Sequence, residues 1–193
     1  MDFVAFVVEG LNAIVPSGSF RLAGFSLGGI ISALCAAHMG ARIHKLSMMG
    51  PGGFGGKPPD LGMKKFPHAS EGDAVMREVL AHNLRAMMIA DPAAVTEEAI
   101  DQYLVNMQRT RYDGRHVSLT PHLMAQCLQK MTCPAQIIWG TADALRQVHM
   151  QADSDECRTA KPGVRIDLVA GAGHWVQYEA AEVVNALLLD FFK

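Results

Sequence analysis

The apolar positions of the chain change repeatedly between helical and strand periodicity. Residues 3–14 carry apolar side chains at helical spacing and predict an amphipathic helix. Its predicted buried face consists of Phe3, Phe6, Val7, Leu11 and Ile14. Short apolar runs predict strands, which lie at 20–25, 43–49, 135–139 and 164–169. Residues 27–39 predict a fully buried helix that Gly40 ends, and 178–192 predict the last helix. This alternation predicts an α/β fold with a mostly parallel sheet and helices on both faces.

Residues 57–131 interrupt the alternation. Charge rises there, methionines accumulate, and three helices are predicted without a strand. Helix starts are indicated by Ser70 with Asp73, by Thr96, and by Thr120 before a proline. The sequence therefore predicts a core made of 1–56 and 132–193, with 57–131 as a helical insertion.

Composition narrows the class of protein. The chain has 193 residues, of which 50% are hydrophobic, and a net charge of −2. This length suits one domain, and the charge predicts no binding to nucleic acid or to an anionic membrane. No apolar run reaches the roughly 20 residues of a membrane span. The N-terminus lacks the basic region of a signal peptide, and the four cysteines form no C-x-x-C pair. We therefore expect a cytoplasmic protein with reduced, structural cysteines.

A candidate nucleophile lies where the first predicted strand meets the buried helix. Residues 24–28 read G-F-S-L-G and match G-x-S-x-G. A serine on so sharp a turn has a strained backbone, and glycine on either side leaves room for strand and helix to approach. The turn points the Ser26 hydroxyl outward, and the Leu27 N–H at the helix start is a candidate oxyanion donor.

A base and an orienting acid follow the last two predicted strands. His174 lies in a glycine-rich turn after 164–169, and Asp143 lies just after 135–139. Groups beyond the carboxyl ends of parallel strands meet at one edge of the sheet. Ser26, Asp143 and His174 are therefore predicted to form a catalytic triad. Asp153 and Asp155 are alternative acids. Such a triad requires no cofactor.

Other candidate sites are weaker. The eight histidines show no metal-ligand spacing, so no metal site is predicted. Residues 50–55 satisfy G-x-G-x-x-G, but neither a helix start nor a ribose-binding carboxylate follows, which disfavours a nucleotide site. Trp175 is either a packing residue or a substrate-binding pocket wall. The insertion's methionines favour core packing, with an apolar acyl pocket as the alternative for Met87, Met88 and Met107.

Together, residues 24–29, 137–143 and 171–175 resemble the α/β-hydrolase superfamily. The resemblance implies that 57–131 is a helical lid and that the substrate is a small ester or diketone. Residues 48–55 and 174–179 are similar to hydrolases that cleave carbon–carbon bonds in ring-fission products of aromatic compounds. Where those enzymes have a lid arginine, this chain has Tyr103, which argues against that substrate.

The resemblance also implies that part of the fold is absent. The superfamily has four strands, and a loop with a second oxyanion donor, before the strand that corresponds to 20–25. Here a helix alone precedes it, so the resemblance implies an N-terminally truncated fold. The strand at 20–25 would then be an exposed edge, which favours a homo-oligomer through strand pairing. The alternative to a working hydrolase is a catalytically impaired remnant that self-associates through this edge.

Overall fold

A computed structural model of the chain describes residues 3–55 and 59–193. Within these residues, four parallel strands form one sheet in the order β1-β2-β3-β4. Their bounds are β1 Phe20–Phe25, β2 Ile43–Met49, β3 Ala135–Gly140 and β4 Arg165–Val169. Each strand lies where the apolar pattern predicts one. β1 is an edge strand of this sheet, since it pairs with β2 alone.

The helices alternate with the strands and fill the interval between β2 and β3. Their bounds are α1 Phe3–Ile14, α2 Leu27–Met39, α3 Asp73–Asn83, α4 Glu97–Arg109, α5 Arg115–Ser118, α6 Leu123–Lys130, α7 Met150–Ala160, α8 Val176–Glu179 and α9 Ala181–Phe192. A π-helical turn at Leu84–Met88 continues α3. Ala180 separates α8 from α9, whereas the sequence predicts one continuous helix there. No helix in the described ranges is long and apolar enough to span a membrane.

Side chains alternate between two apolar clusters, one on each face of the sheet. Ile137 and Trp139 of β3 join the larger cluster, which also includes residues of α2, α6 and α7. Ile138 faces the opposite way, into a smaller cluster with Val176 and Val184 of α8 and α9. This arrangement confirms the predicted α/β layering. The larger cluster also includes the cysteines Cys127, Cys133 and Cys157; these and Cys35 are buried and free.

The helix before β1 buries only part of its predicted face. Phe3, Val7 and Leu11 are half-buried, whereas Phe6 and Ile14 are 62% and 80% exposed. α1 packs on α2, and the side chain that it buries most is Val8, which the prediction left out. Helical periodicity identifies an apolar stripe without specifying which part of it meets a neighbour.

The insertion is less separate from the core than the sequence predicts. α6 packs against α2 and α7, and its Met124 and Leu128 belong to the larger core cluster. By packing, α6 therefore belongs with the core, whereas the predicted insertion extends to residue 131. A third cluster joins α3, the π-helical turn and α4, with Leu80, Leu84 and Ile100 at its centre.

Of the three predicted helix starts in the insertion, α3 begins at Asp73 as predicted but without the predicted capping box, α4 begins as predicted, and the third helix begins later than predicted. Thr96 caps α4 as predicted, its hydroxyl accepting a hydrogen bond from the Ala99 N–H at 3.2 Å. Before α3, however, the capping box is formed by His68 and Glu71 around a short 3₁₀ turn. The last helix begins at Leu123, after a left-handed His122, and not at Thr120.

Candidate active site

The backbone at Ser26 has the strained turn that the motif predicts. Ser26 has φ 51° and ψ −118°, in the region that L-residues rarely occupy. Its N–H donates to the Met49 carbonyl at 2.9 Å, and its own carbonyl accepts from the Gly29 N–H at 3.0 Å. The end of β2 and the start of α2 therefore hold this conformation in place.

The two motif glycines differ in their surroundings. A Cβ at Gly24 would collide with the Gly28 carbonyl and the Ser32 hydroxyl, and would lie 2.7 Å from the Gly28 carbonyl carbon. A Cβ at Gly28 meets nothing within 4 Å. The steric argument from sequence is confirmed for Gly24 and is wrong for Gly28.

The structure brings Ser26, His174 and Asp143 into one hydrogen-bonded line. Ser26 Oγ lies 2.9 Å from His174 Nε2, and His174 Nδ1 lies 2.8 Å from Asp143 Oδ2. With the proton on Nδ1, His174 donates to the carboxylate and its Nε2 accepts from the serine hydroxyl. The side chains of His174 and Asp143 are almost fully buried. This is the geometry of a nucleophile, a base and a group that orients the base.

The loop after β3 positions the acid. Asp143 Oδ1 accepts from the Leu145 N–H at 2.9 Å, which leaves Oδ2 for His174. The alternative acids lie elsewhere. Asp153 pairs with Arg146, and Asp155 is exposed and contacts Gln151 and Arg158.

Leu27 begins α2 directly after the nucleophile. The first N–H groups of a helix have no acceptor within the helix, so the Leu27 N–H has the position expected of an oxyanion donor. The Leu27 side chain lies beside Gly114, where a Cβ would collide with it. The segment between α4 and α5 thus packs close to the nucleophile turn.

A cavity opens beside Ser26 and His174. Its described lining combines Ser26 and His174 with the glycine-rich loop after β2, α5 and the loop after β3. The members outside the triad are Gly50, Pro51, Gly52, Gly53, Gly55, Ser118, Leu119, Leu145 and Arg146. A Cβ at Gly50 would approach His174 Cε1 to 3.1 Å, so the base packs directly on this loop. Sequence reasoning examined the loop as a nucleotide motif and missed that it lines the site.

Several predicted pocket residues pack against the third cluster, that of α3, the π-helical turn and α4, instead. Trp175 stacks on Tyr178, with 5.1 Å between ring centroids, and both rings pack against this cluster. Met88, Met107 and Tyr103 pack against the same cluster. Among the described residues, none of these lines the cavity at Ser26. Burial raises the pKa of the Tyr103 phenol.

Sequence reasoning also missed Glu179. Its Oε1 accepts from the N–H groups of Ala90 and Asp91, each at 2.9 Å, and its Oε2 accepts from the Gly173 N–H at 2.7 Å. Glu179 thereby links the insertion, at the segment after α3, to the turn that carries His174. In sequence, the signal was a carboxylate five positions after the candidate base.

The sequence model of the alpha/beta hydrolase family matches residues 2–187. The chain therefore belongs to the alpha/beta hydrolase family, which places it in the hydrolase class. The 2-hydroxy-6-oxononadienedioate/2-hydroxy-6-oxononatrienedioate hydrolase of Burkholderia vietnamiensis is 29% identical over 100% of this chain and 68% of its own length. A protein of the same description from Dechloromonas aromatica is 29% identical over 97% of this chain and 66% of its own length.

Solved structures agree on the fold. The meta-cleavage product hydrolase of Pseudomonas fluorescens IP01 superimposes with a TM-score of 0.70 at 16% identity. The match covers 96% of this chain and 68% of that protein. The chain thus spans about two thirds of the length of the proteins it resembles.

Proposed function

We propose that the chain is a serine hydrolase in which Ser26, His174 and Asp143 form the catalytic triad. The observation that carries this proposal is the unbroken hydrogen-bonded line from Ser26 Oγ through His174 to the Asp143 carboxylate. Its position at a cavity and the left-handed backbone of Ser26 support the same assignment.

In ester hydrolysis, Ser26 Oγ attacks the substrate carbonyl while His174 Nε2 takes the hydroxyl proton. Asp143 stabilises the imidazolium that forms, and the Leu27 N–H donates to the developing oxyanion. Collapse of the tetrahedral intermediate breaks the carbon–oxygen bond, and His174 returns its proton to the leaving alkoxide. Water, deprotonated by His174, then releases the acid from Ser26.

The same machinery suits cleavage of a carbon–carbon bond in a vinylogous 1,5-diketone. After Ser26, or a water activated by His174, adds to the ketone, the breaking bond leaves its electron pair on carbon. A conjugated second carbonyl delocalises that pair, and a proton then completes the first product. Where Ser26 is the nucleophile, the acid is left as an ester of Ser26, and water deprotonated by His174 releases it. The named relatives, whose substrates are 6-oxo dioates, support this substrate class beside the ester.

The first test is labelling with a fluorophosphonate, read by intact mass. Ser26 Oγ displaces fluoride from phosphorus, so we expect a single adduct on the wild type. Ser26→Ala and His174→Ala should each lose it, because they remove the nucleophile and the base, and turnover should fall by roughly 10⁴- to 10⁶-fold. Ser17→Ala, a substitution in the exposed turn before β1, is the matched control.

Retained labelling in Ser26→Ala would overturn the triad. Labelling of the wild type without hydrolysis of any ester, together with release of a dienoate from a 6-oxo dienedioate, would favour carbon–carbon cleavage over ester hydrolysis.

A second candidate is a catalytically impaired chain that self-associates through β1. It is favoured by one observation, that β1 pairs with β2 alone in the described sheet. Folded protein without labelling would favour it.

A further inference from the structure

The cavity at the triad contains a cationic side chain that the catalytic steps do not use. Arg146 lines it together with Ser26 and His174. Among the described lining residues, Arg146 is the one with a permanent charge. Its side chain is 16% exposed, so it is largely removed from bulk water.

Three groups hold this guanidinium in place. Its Nε donates to Asp153 Oδ2 at 2.7 Å, its Nη2 donates to the same oxygen, and its Nη1 donates to the Gly55 carbonyl at 3.3 Å. The guanidinium carbon also lies 5.2 Å from the centre of the Phe54 ring. At the backbone, the Arg146 N–H donates to the Asp143 carbonyl at 3.0 Å, which ties the residue to the acid of the triad.

These contacts leave part of the guanidinium for a ligand. A guanidinium has five N–H groups, and the described partners accept three of them. One N–H on each terminal nitrogen remains, and two such groups match the two oxygens of a carboxylate. Because Asp153 and Gly55 already fix the guanidinium, a ligand would bind it with little further loss of side-chain entropy.

We propose that Arg146 binds a carboxylate of the substrate and makes this hydrolase selective for anionic acids over their neutral analogues. The proposal rests on the proposed function and adds a specificity residue to it. Asp153 opposes the effect, because its carboxylate offsets part of the guanidinium charge. Loss of the Arg146 charge should therefore lower the selectivity for the anionic substrate, and loss of the Asp153 charge should raise it.

The test compares two esters of equal length, 4-nitrophenyl hydrogen adipate and methyl 4-nitrophenyl adipate. The measured quantity is the ratio of kcat/KM for the anionic ester to that for the neutral ester. We expect the ratio to exceed one in the wild type and to fall about tenfold or more in Arg146→Gln, which loses a charge-assisted contact. Arg146→Lys should give an intermediate ratio, and Asp153→Asn should raise it.

A purely structural ion pair predicts another result. Arg146→Gln and Asp153→Asn would then each change kcat/KM by the same factor for both esters. An unchanged ratio of the two kcat/KM values would overturn the proposal. Thermal melts establish that each variant is folded. If Arg146→Gln does not fold, Arg146→Lys against Asp153→Asn decides the question by the same ratio.

Fluorophosphonate labelling distinguishes failure of the proposed function from failure of the carboxylate subsite. Absence of fluorophosphonate labelling at Ser26 would overturn both proposals together. If Ser26 is labelled but neither ester is hydrolysed, adipate is added as a competitor of labelling. Protection by adipate in the wild type that is lost in Arg146→Gln supports the carboxylate subsite, and equal labelling with or without adipate overturns it.

Discussion

The nucleophile turn shows how a single residue sets the approach of two elements. Ser26 occupies a backbone region that costs on the order of 1–3 kcal/mol, and the surrounding hydrogen bonds keep it there. Gly24 is essential to this arrangement, since the Gly28 carbonyl and Ser32 hydroxyl occupy the space of a Cβ. Gly28 faces open space, although the motif gives both glycines the same weight.

The two glycines therefore give a matched pair of substitutions. Gly24→Ala should destabilise the protein by about 1–3 kcal/mol, because strand and helix must separate to admit the methyl group. Gly28→Ala should be neutral or stabilising by up to about 1 kcal/mol, because it lowers the backbone entropy of the unfolded chain within a helical position. Urea unfolding measures both. Equal destabilisation by the two variants would contradict the steric account.

At the scale of elements, one carboxylate joins the insertion to the turn that carries His174. Glu179 of α8 accepts hydrogen bonds from Ala90, Asp91 and Gly173. The Trp175 N–H adds a bond to the Met88 carbonyl at 2.7 Å. Hydrogen bonds therefore connect the turn that carries His174 directly to the insertion. We expect Glu179 to act as a positioning residue for His174.

Glu179→Gln tests the hydrogen bonds of this carboxylate, because glutamine has nearly the same size and shape as glutamate. The amide retains one acceptor oxygen but places an NH₂ group against a backbone donor, which should cost about 1–3 kcal/mol. We expect faster amide hydrogen exchange at Ala90, Asp91 and Gly173, and a lower midpoint of urea unfolding. Glu182→Gln, an exposed acidic position in α9, is the control. Unchanged exchange at all three amides would contradict the positioning role.

At the scale of the whole molecule, β1 is an edge strand. Within the described residues it pairs with β2 alone, and the helix that precedes it, α1, packs on α2. Ala23 of β1 is exposed. Unpaired backbone groups on an apolar edge strand are a template for another strand.

We therefore predict concentration-dependent self-association, measured by sedimentation velocity over a wide range of concentration. Ala23→Lys should shift the equilibrium towards the monomer, because a charge on an edge strand opposes pairing with a second copy. Ser17→Lys, in the turn before β1, adds the same charge outside the strand and is the control. A monomer at every concentration would contradict edge pairing.

The sequence by itself determined the strands, the bounds of α1 and α2, and the three residues of the candidate triad. Strands that are buried on both faces of a sheet are continuous apolar runs, which local sequence shows directly. Ser26, Asp143 and His174 each follow a strand of a parallel sheet, so the topology brings them together. The tertiary structure decided the rest. It placed α6 in the core, packed Trp175 against α3 and α4, and put Arg146 in the lining of the cavity. Periodicity reports that a side chain is buried, whereas which neighbours it meets depends on contacts between residues far apart in the chain.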